Sequence, residues 1–201
     1  VIVGPEAPIC DGIADIFKKH KINIIAPTKK WSNLESSKLV AKQLMSHYSI
    51  NNAPIIKAPS RFPLVLKADG LCGGKGVKII YSMDELVTQM EKLKADFHEG
   101  AKRIFMEEYL EGGELSLISL WDGKSLLHFP PARDFKRLSL SKDSPNTGGM
   151  GSYCPVELTE VQQDRLDLYK TKLNFMLSDE KADFIGFIYS GLIWAKNDWY
   201  V

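Results

Sequence analysis

Residues 63–80 read Pro63-Leu-Val-Leu-Lys-Ala-Asp-Gly-Leu-Cys-Gly-Gly-Lys-Gly-Val-Lys-Ile-Ile80. Two short apolar runs, Leu64–Leu66 and Val77–Ile80, flank a loop that is rich in glycine. Short β-branched or leucine-rich runs separated by a glycine cluster are typical of a β-hairpin. We therefore predict two antiparallel strands joined by a glycine-rich loop.

The composition of this loop suits a phosphate. Glycines at 73, 74 and 76 lack a Cβ, so their backbone N–H groups can approach phosphate oxygens closely. Lys67 and Lys75 add point charges for the same oxygens. The pattern predicts a flap over a nucleoside triphosphate, and a mobile surface turn is the alternative.

Two well-known phosphate-binding patterns are excluded. A P-loop requires a glycine five residues before the glycine of Gly-Lys, with four residues between them, and a Ser or Thr after the lysine. Here Asp69 and Gly76 occupy those positions. A dinucleotide fingerprint ends in a third glycine, and Ile79 stands there instead.

Composition narrows the class of protein. The 201 residues are 44% hydrophobic and 25% charged, enough for a folded core. The net charge of +1 does not favour a nucleic-acid or membrane partner, and no apolar run reaches the roughly 18 residues of a membrane span. Three widely spaced cysteines predict neither a disulfide framework nor a metal cluster, so a cytoplasmic protein is expected.

The N-terminal third has a β–α–β pattern. Val1–Val3 and Ile22–Ala26 are predicted strands, and Gly12–Lys19 is a predicted helix. Chemistry in such units lies at the carboxyl ends of the strands, where Gly4-Pro5-Glu6 follows the first one. We assign residues 1–52 to the end of a parallel α/β domain, and we expect the chain to be a piece of a longer protein.

The next segments predict a small α+β lobe over residues 53–121. Leu34–Tyr48 is predicted as one amphipathic helix, in which Lys38 alone would be a solvated charge. The proline-rich link Asn51–Ser60 precedes the hairpin. Ser82–Glu85 has a capping-box pattern that opens a helix to about Asp96, and Arg103–Met106 is a predicted strand.

Acidic residues follow that strand. Backbone groups of Tyr109 and Leu110 can hydrogen-bond an adenine edge, Glu107 and Glu108 stand beside them, and Glu114 can accept from ribose hydroxyls. The alternative is a solvated acidic edge.

Residues 122–201 follow the small lobe and contain further strands and a helix. Asp122-Gly123 predicts a hairpin turn, Leu158–Leu177 an amphipathic helix and Phe184–Trp194 a buried strand. Two loops in this range carry candidate substrate ligands. One has Arg133, Asp134, Lys136 and Arg137, and the other has Asn146, Thr147, Gly148, Gly149, Met150 and Gly151, whose backbone can form an anion-binding nest.

Taken in order, these motifs resemble the phosphoribosylamine–glycine ligase family of ATP-grasp enzymes. The resemblance rests on Val3–Pro8, Leu34–Lys38, Leu66–Val77, Glu107–Leu110 and Asp134–Gly151, and it extends over nearly all the chain. It implies an α/β fold in which a partial N-terminal parallel domain precedes an ATP-grasp fold, with a small α+β lobe and an incomplete larger lobe.

The resemblance also implies the chemistry, which belongs to purine biosynthesis. ATP, glycine and 5-phosphoribosylamine would be the substrates, with a glycyl phosphate between them. Lys38 and Lys67 would hold phosphates, Gly73–Gly76 would form the flap, Glu107–Leu110 would bind adenine and Glu114 ribose. The remaining substrates would face three groups of residues: Gly4-Pro5-Glu6, Asp134 with Lys136 and Arg137, and Asn146–Gly151.

The chain departs from the family pattern in several places. Phe135 replaces a histidine, Leu140–Ser144 replaces acidic residues and a glycine, and Asn51–Phe62 is shorter than usual. The family's Mg²⁺ or Mn²⁺ ligands are expected beyond Val201, so no metal ligand is assigned here.

Two rival functions stay open on the sequence. One is another ATP-grasp carboxylate–amine ligase, such as a biotin-carboxylase-like enzyme, and the other is a nucleotide-binding paralogue without catalysis. The ligase itself is expected to be a monomer.

Overall fold

A computed structural model gives the fold and describes residues 1–73, 75–96, 103–136, 138–139, 147 and 149–201. The chain divides into two compact units, Val1–Leu110 and Glu111–Val201. Helices and antiparallel sheets occur in both units, so the protein is of the mixed α/β class.

The first unit contains five described helices and four strands. The helices are α1 (Glu6–Cys10), α2 (Ile13–Lys19), α3 (Asn33–Ser36), α4 (Lys38–His47) and α5 (Met83–Asp96). The strands are β1 (Ile55–Ile56), β2 (Leu64–Asp69), β3 (Val77–Ile80) and β4 (Arg103–Glu108). At the N-terminus, Ile2 and Ile25 form a parallel bridge where the β–α–β pattern predicts parallel strands.

The predicted glycine-loop hairpin is confirmed. Strands β2 and β3 pair antiparallel from Leu64 opposite Ile80 to Lys67 opposite Val77. They belong to a sheet of order β1-β4-β2-β3, so the predicted link Asn51–Ser60 contains a short strand. Alternation along β2 buries Leu64 and Leu66 against Leu86 and Leu93 of α5 and exposes Lys67 on the other face.

The prediction of one helix over Leu34–Tyr48 is wrong, because the chain breaks at Ser37. Ser37 is extended, with φ −139° and ψ 108°, and its side chain accepts a hydrogen bond from Val40 N–H as the N-cap of α4. Its hydroxyl also donates to Asp69 at 3.1 Å. The local cap competes with helix continuation, and the bond to the distant Asp69 holds Ser37 in place, so the two together explain the break.

The second unit is a sheet with one long helix. Its strands are β5 (Gly113–Trp121), β6 (Leu126–His128), β7 (Arg133–Asp134), β8 (Ser152–Tyr153), β9 (Gly186–Ala195) and β10 (Asp198–Tyr200), and its helix is α6 (Glu160–Asp179). The main sheet has the order β10-β9-β5-β6, and β7 pairs with β8. The predicted hairpin at Asp122-Gly123 is confirmed, because β5 and β6 pair around it.

Helix α6 begins at a capping box, in which Thr159 accepts from Gln162 N–H and the Gln162 side chain accepts from Thr159 N–H. Its buried face carries Tyr169, whose hydroxyl donates to Ser190 on β9 at 2.7 Å. Burial raises the pKa of Tyr169 to about 12, so this hydroxyl stays protonated. The bond joins α6 to the inner face of the sheet.

Strand β9 corrects the prediction of a fully buried strand at Phe184–Trp194. Residues of its inner face are buried, but Phe187 is 44% exposed and Tyr189 is 55% exposed. The apolar composition of this segment concealed the alternation, since aromatic side chains occupy the outer face. An open sheet face therefore exists on β9.

The domain limits 1–52, 53–121 and 122–201 remain predictions. In sequence, the first compact unit ends at Leu110. The strand Gly113–Trp121, which was expected in the small lobe, pairs with β9 along its whole length. Within the described residues, none of the helices combines the length and apolar character needed to cross a membrane.

We predict that Gly112→Ala destabilises the second unit. A Cβ at Gly112 would lie 1.8 Å from the Trp194 carbonyl oxygen, so backbone must move. Overpacking against backbone typically lowers the free energy of unfolding by about 1–3 kcal/mol. Gly113→Ala is the matched control, because its Cβ would meet the end of the flexible Arg133 side chain at 3.4 Å. Equal urea midpoints for the two variants would contradict the prediction.

We also predict that His128 makes stability depend on pH. Burial first, and then the nearby Lys170, lower the pKa of His128 below its ordinary 6.5, against an opposing effect of Asp167. The unfolded chain then binds the proton more readily, so the free energy of unfolding decreases as pH falls through 6.5 toward the folded-state pKa. The urea midpoint of the parent should be lower at about pH 5 than at about pH 8, and this difference should be smaller in His128→Gln. If the difference between the midpoints at the two pH values is the same in both proteins, His128 is not the source of the acid sensitivity.

Candidate functional site

The glycine-rich loop is held at its base by the strand that precedes it. Ala68 N–H donates to Gly76 O at 2.8 Å, and Lys75 N–H donates to Cys72 O at 2.9 Å. A Cβ at Gly76 would lie 2.7 Å from the Cys72 sulfur, so only glycine fits there. Burial raises the pKa of the Cys72 thiol, which favours its protonated form.

Asp69 connects this loop to the start of α4. Its carboxylate accepts from the Ser37 hydroxyl at 3.1 Å and from Leu39 N–H at 3.2 Å. A carboxylate at a helix N-terminus is favoured by the helix dipole. The adjacent Lys38 ammonium donates to Gly70 O at 2.9 Å, so it is not the solvated charge expected of a lone lysine. Lys38 and the loop are thus brought together.

A buried carboxylate lies behind Lys67. Glu107 on β4 is 1% exposed, and its Oε1 lies 3.0 Å from Lys67 Nζ. Oε1 has this ion pair but no aligned hydrogen bond among the described residues, so it keeps the capacity to accept one. Its burial excludes the solvated acidic edge for Glu107. The neighbouring Glu108 pairs with Arg61, and Leu110 is buried.

Gly4-Pro5-Glu6 forms an exposed turn at the start of α1. Pro5 is the N-cap with an extended backbone, and Glu6 is the first helical residue. A Cβ at Gly4 would meet nothing within 4 Å. The backbone is therefore accessible from solvent, as the predicted substrate contact requires.

The second unit gathers polar side chains on the open face of β5 and β9. The Ser116 hydroxyl donates to Asp134 Oδ1 at 3.1 Å and lies 3.2 Å from the Tyr189 hydroxyl. Lys136 Nζ is 3.7 Å from Asp134 Oδ2. Burial lowers the pKa of Lys136, but Tyr189, Asp134 and Glu114 raise it more, so the net pKa lies above the ordinary value. Lys136 is therefore a stable cation.

Glu114 is at the start of β5, beside this cluster, and its carbonyl accepts from Arg133 Nε at 3.0 Å. The backbone around Phe135 pairs with the glycine-rich segment that follows it in sequence. Thr147 N–H donates to Lys136 O at 2.6 Å, Met150 N–H donates to Phe135 O at 2.7 Å, and Phe135 N–H donates to Gly151 O at 2.9 Å. Of the loop predicted around Asp134 and Lys136, Arg133–Asp134 is strand β7, and the described residues 135–136 lie beside Thr147, Met150 and Gly151.

Several predicted site residues lie outside the described part of the chain, namely Gly74, Arg137, Asn146 and Gly148. The structure also adds residues that the sequence did not single out, and these are Ser37, Lys42, Ser116 and Tyr189. Serine, lysine and tyrosine in helices and strands are common, so no local pattern marked them.

Solved structures identify the class of fold. The chain is similar to biotin carboxylase from Campylobacter jejuni, with a TM-score of 0.73 and 18% identity over 93% of this chain and 44% of that one. It is also similar to D-alanine–D-alanine ligase from Bacillus anthracis, with a TM-score of 0.64 and 18% identity over 99% of this chain and 64% of that one. These two proteins share the fold of the chain, and the family match given next names that fold as ATP-grasp, as the sequence predicted.

Closer similarities give the family. Residues 15–201 match the family "Phosphoribosylglycinamide synthetase, ATP-grasp (A) domain", and the chain belongs to it. The phosphoribosylamine–glycine ligase of Clostridium acetobutylicum is 34% identical over 218 residues, covering 100% of this chain and 52% of that protein. The solved ligase from Thermotoga maritima has a TM-score of 0.81 and 30% identity, covering 100% of this chain and 52% of that one. The chain thus spans about half the length of these relatives.

We predict that Asp69→Ala lowers the free energy of unfolding by about 1–3 kcal/mol, because Ser37 and the N-terminus of α4 lose their partly buried acceptor. Glu91→Ala removes an exposed carboxylate from α5 and serves as the control. Thermal denaturation monitored by circular dichroism measures both. Equal melting temperatures would mean that Asp69 does not anchor α4.

Proposed function

We propose that the protein joins glycine to 5-phosphoribosylamine at the expense of ATP, as a phosphoribosylamine–glycine ligase of de novo purine biosynthesis. The observation that carries this proposal is the family match from residue 15 to residue 201. Relatives with that name align along 98–100% of the chain, which adds support.

The proposed reaction has two steps. The γ-phosphoryl group moves from ATP to an oxygen of the glycine carboxylate, which releases ADP and forms glycyl phosphate. The amine of 5-phosphoribosylamine then attacks the carbonyl carbon. The new C–N bond forms, the C–O bond to phosphate breaks, and the amine loses a proton. Neither step requires a side-chain nucleophile, so positioning and charge stabilisation are what the protein must supply.

For ATP, the proposed ligands lie mainly in the first unit. Lys38 and Lys67 would hold phosphates, and the Gly73, Gly74, Lys75 and Gly76 flap would add backbone N–H groups and a cation. Glu107, Glu108, Tyr109 and Leu110 would bind adenine, and Glu114 would bind ribose. Glu107 is buried, and its Oε1 lies 3.0 Å from Nζ of Lys67, one of the proposed phosphate ligands.

For glycine and phosphoribosylamine, most proposed ligands lie in the second unit. They are Asp134, Lys136, Arg137, Asn146, Thr147, Gly148, Gly149, Met150 and Gly151, with Gly4, Pro5 and Glu6 from the first unit. The raised pKa of Lys136 supports a permanent cation for a phosphate or carboxylate. Phe135 is 55% exposed and stacks near Tyr153 at 6.1 Å, so the family's polar contact there is replaced by an apolar one.

Magnesium or manganese would accompany ATP. Within the part of the chain that the structure describes, His, Cys, Asp and Glu side chains do not form a group of three that fits a metal. The proposed steps above involve only the substrates and this chain's own residues. The unpaired Cys10, Cys72 and Cys154 support a reducing, cytoplasmic setting, and a monomer is the form that we propose.

The full-length protein, supplied with ATP, Mg²⁺, glycine and freshly generated phosphoribosylamine, should release ADP only when both other substrates are present. Omitting each substrate in turn is the internal control. Lys67→Met should reduce the rate at least about tenfold, because a charge-assisted contact to phosphate is lost, while the exposed Lys57→Met should not.

ADP release with a different amine acceptor would favour another ATP-grasp ligase. ATP binding without release under any of these conditions would favour the non-catalytic paralogue. Either outcome would overturn the proposal.

A further inference from the structure

Lys42 is a lysine in the interior of the first unit. It lies on α4 and is 6% exposed. Lysine is almost never buried unless it is paired, because removing an ammonium group from water is costly. The function proposed above assigns no role to this residue, so its burial requires an explanation.

Three oxygen atoms surround the Lys42 ammonium. Nζ donates to Ala53 O at 2.6 Å and to Asn52 Oδ1 at 3.3 Å. Glu107 Oε2 lies 3.2 Å away. An ammonium group has three N–H donors, so these contacts use all of them. Asn52 is itself held, because its amide donates to Ser46 Oγ and to Ile50 O, each at 3.2 Å. The position of Nζ is thus fixed.

Glu107 is shared between two lysines. Its Oε2 contacts Lys42, and its Oε1 lies 3.0 Å from Lys67 Nζ. The side chains of Lys42 and Glu107 are 8% and 1% exposed, whereas that of Lys67 is 26% exposed. The three groups therefore form a line that runs from the interior to the solvent-accessible Lys67.

The charges of this line do not cancel. Two ammonium groups and one carboxylate have a net charge of +1, and Lys67 is the member of the three that solvent reaches. Burial lowers the pKa of Lys42, and the Glu107 carboxylate opposes that shift by favouring the charged form. Well-packed apolar residues often stabilise a core at least as well as a buried ion pair does. A charged triad at this place therefore points to a role beyond stability.

We propose that Lys42 is a positioning residue for nucleotide binding, which acts by neutralising and orienting Glu107 so that Lys67 is free to meet a phosphate. Without Lys42, the whole negative charge of Glu107 faces Lys67 and draws its ammonium group away from a phosphate. The inference rests on the phosphate role of Lys67 in the proposed function.

A double-mutant cycle tests the inference on the full-length protein, with ATP binding measured by calorimetry. Lys42→Met keeps the length of the side chain and removes the charge. We expect it to weaken ATP binding about tenfold in the parent and less than about twofold in a Lys67→Met background, since residues of one network are not additive. Lys92→Met, an exposed lysine on α5, is the matched control and should leave affinity unchanged.

Two further variants separate positioning from folding. Lys42→Arg restores a permanent charge and should recover most of the lost affinity. Asn52→Ala removes one anchor of Lys42 without changing any charge, so it provides the same test if Lys42→Met does not unfold cooperatively. We expect about threefold weaker ATP binding for Asn52→Ala, again only when Lys67 is present.

Equal losses for Lys42→Met in the presence and absence of Lys67 would overturn the inference, and so would parent-like affinity in both Lys42→Met and Asn52→Ala. The binding assay is independent of turnover. If the protein binds ATP with this coupling but makes no glycinamide product, the inference stands and the proposed function is wrong. If the protein makes the product but shows no coupling, the proposed function stands and the inference is wrong.

Discussion

A carboxylate cannot remain charged in a protein interior unless cations or hydrogen-bond donors compensate it, and Glu107 is such a carboxylate. Its compensation comes from Lys42 on α4 and Lys67 on β2, while Glu107 itself is on β4. Three elements that are distant in sequence are thereby required to meet. The remaining arrangement of the first unit is consistent with this constraint, since Asp69, at the end of β2, binds the start of the same helix.

Helix α4 is held to the sheet at two points, its first turn by Asp69 of β2 and its middle by Glu107 of β4. Asp69 fixes the helix start beside the glycine-rich loop, and Lys42 lies one turn further along, against Glu107. Lys38 and Lys67 are thus both held by protein oxygen atoms while keeping part of their surface accessible. Lysines restrained in this way lose less side-chain entropy when they bind an anion than free ones would.

In the second unit the polar side chains gather on an exposed face of the sheet, whereas in the first unit they gather around a buried carboxylate. Its inner face is closed by α6, and its outer face carries Ser116 and Tyr189, which contact the Asp134–Lys136 segment. Two neighbouring hydroxyl groups and an ion pair on an open face remain accessible to small polar molecules. The position of Phe135 beside Tyr153 shows that an apolar contact is accommodated at the edge of this cluster.

The sequence by itself determined the hairpin, the start of α5 at Ser82, the class of fold and the family, because each rests on local spacing or on the order of motifs. The glycine loop at Gly73–Gly76 and the hydrogen bond from Glu85 N–H to the Ser82 hydroxyl involve residues close in sequence. Only the tertiary structure decided the break at Ser37, the open face of β9 and the burial of Lys42. Each depends on a partner distant in the chain: Ser37 bonds to Asp69, β9 pairs with β5, and Lys42 meets Glu107. The sequence shows a lysine in the same way whether its side chain faces water or a buried carboxylate. Which of the two occurs depends on tertiary packing, and the neighbouring residues in sequence do not determine that packing.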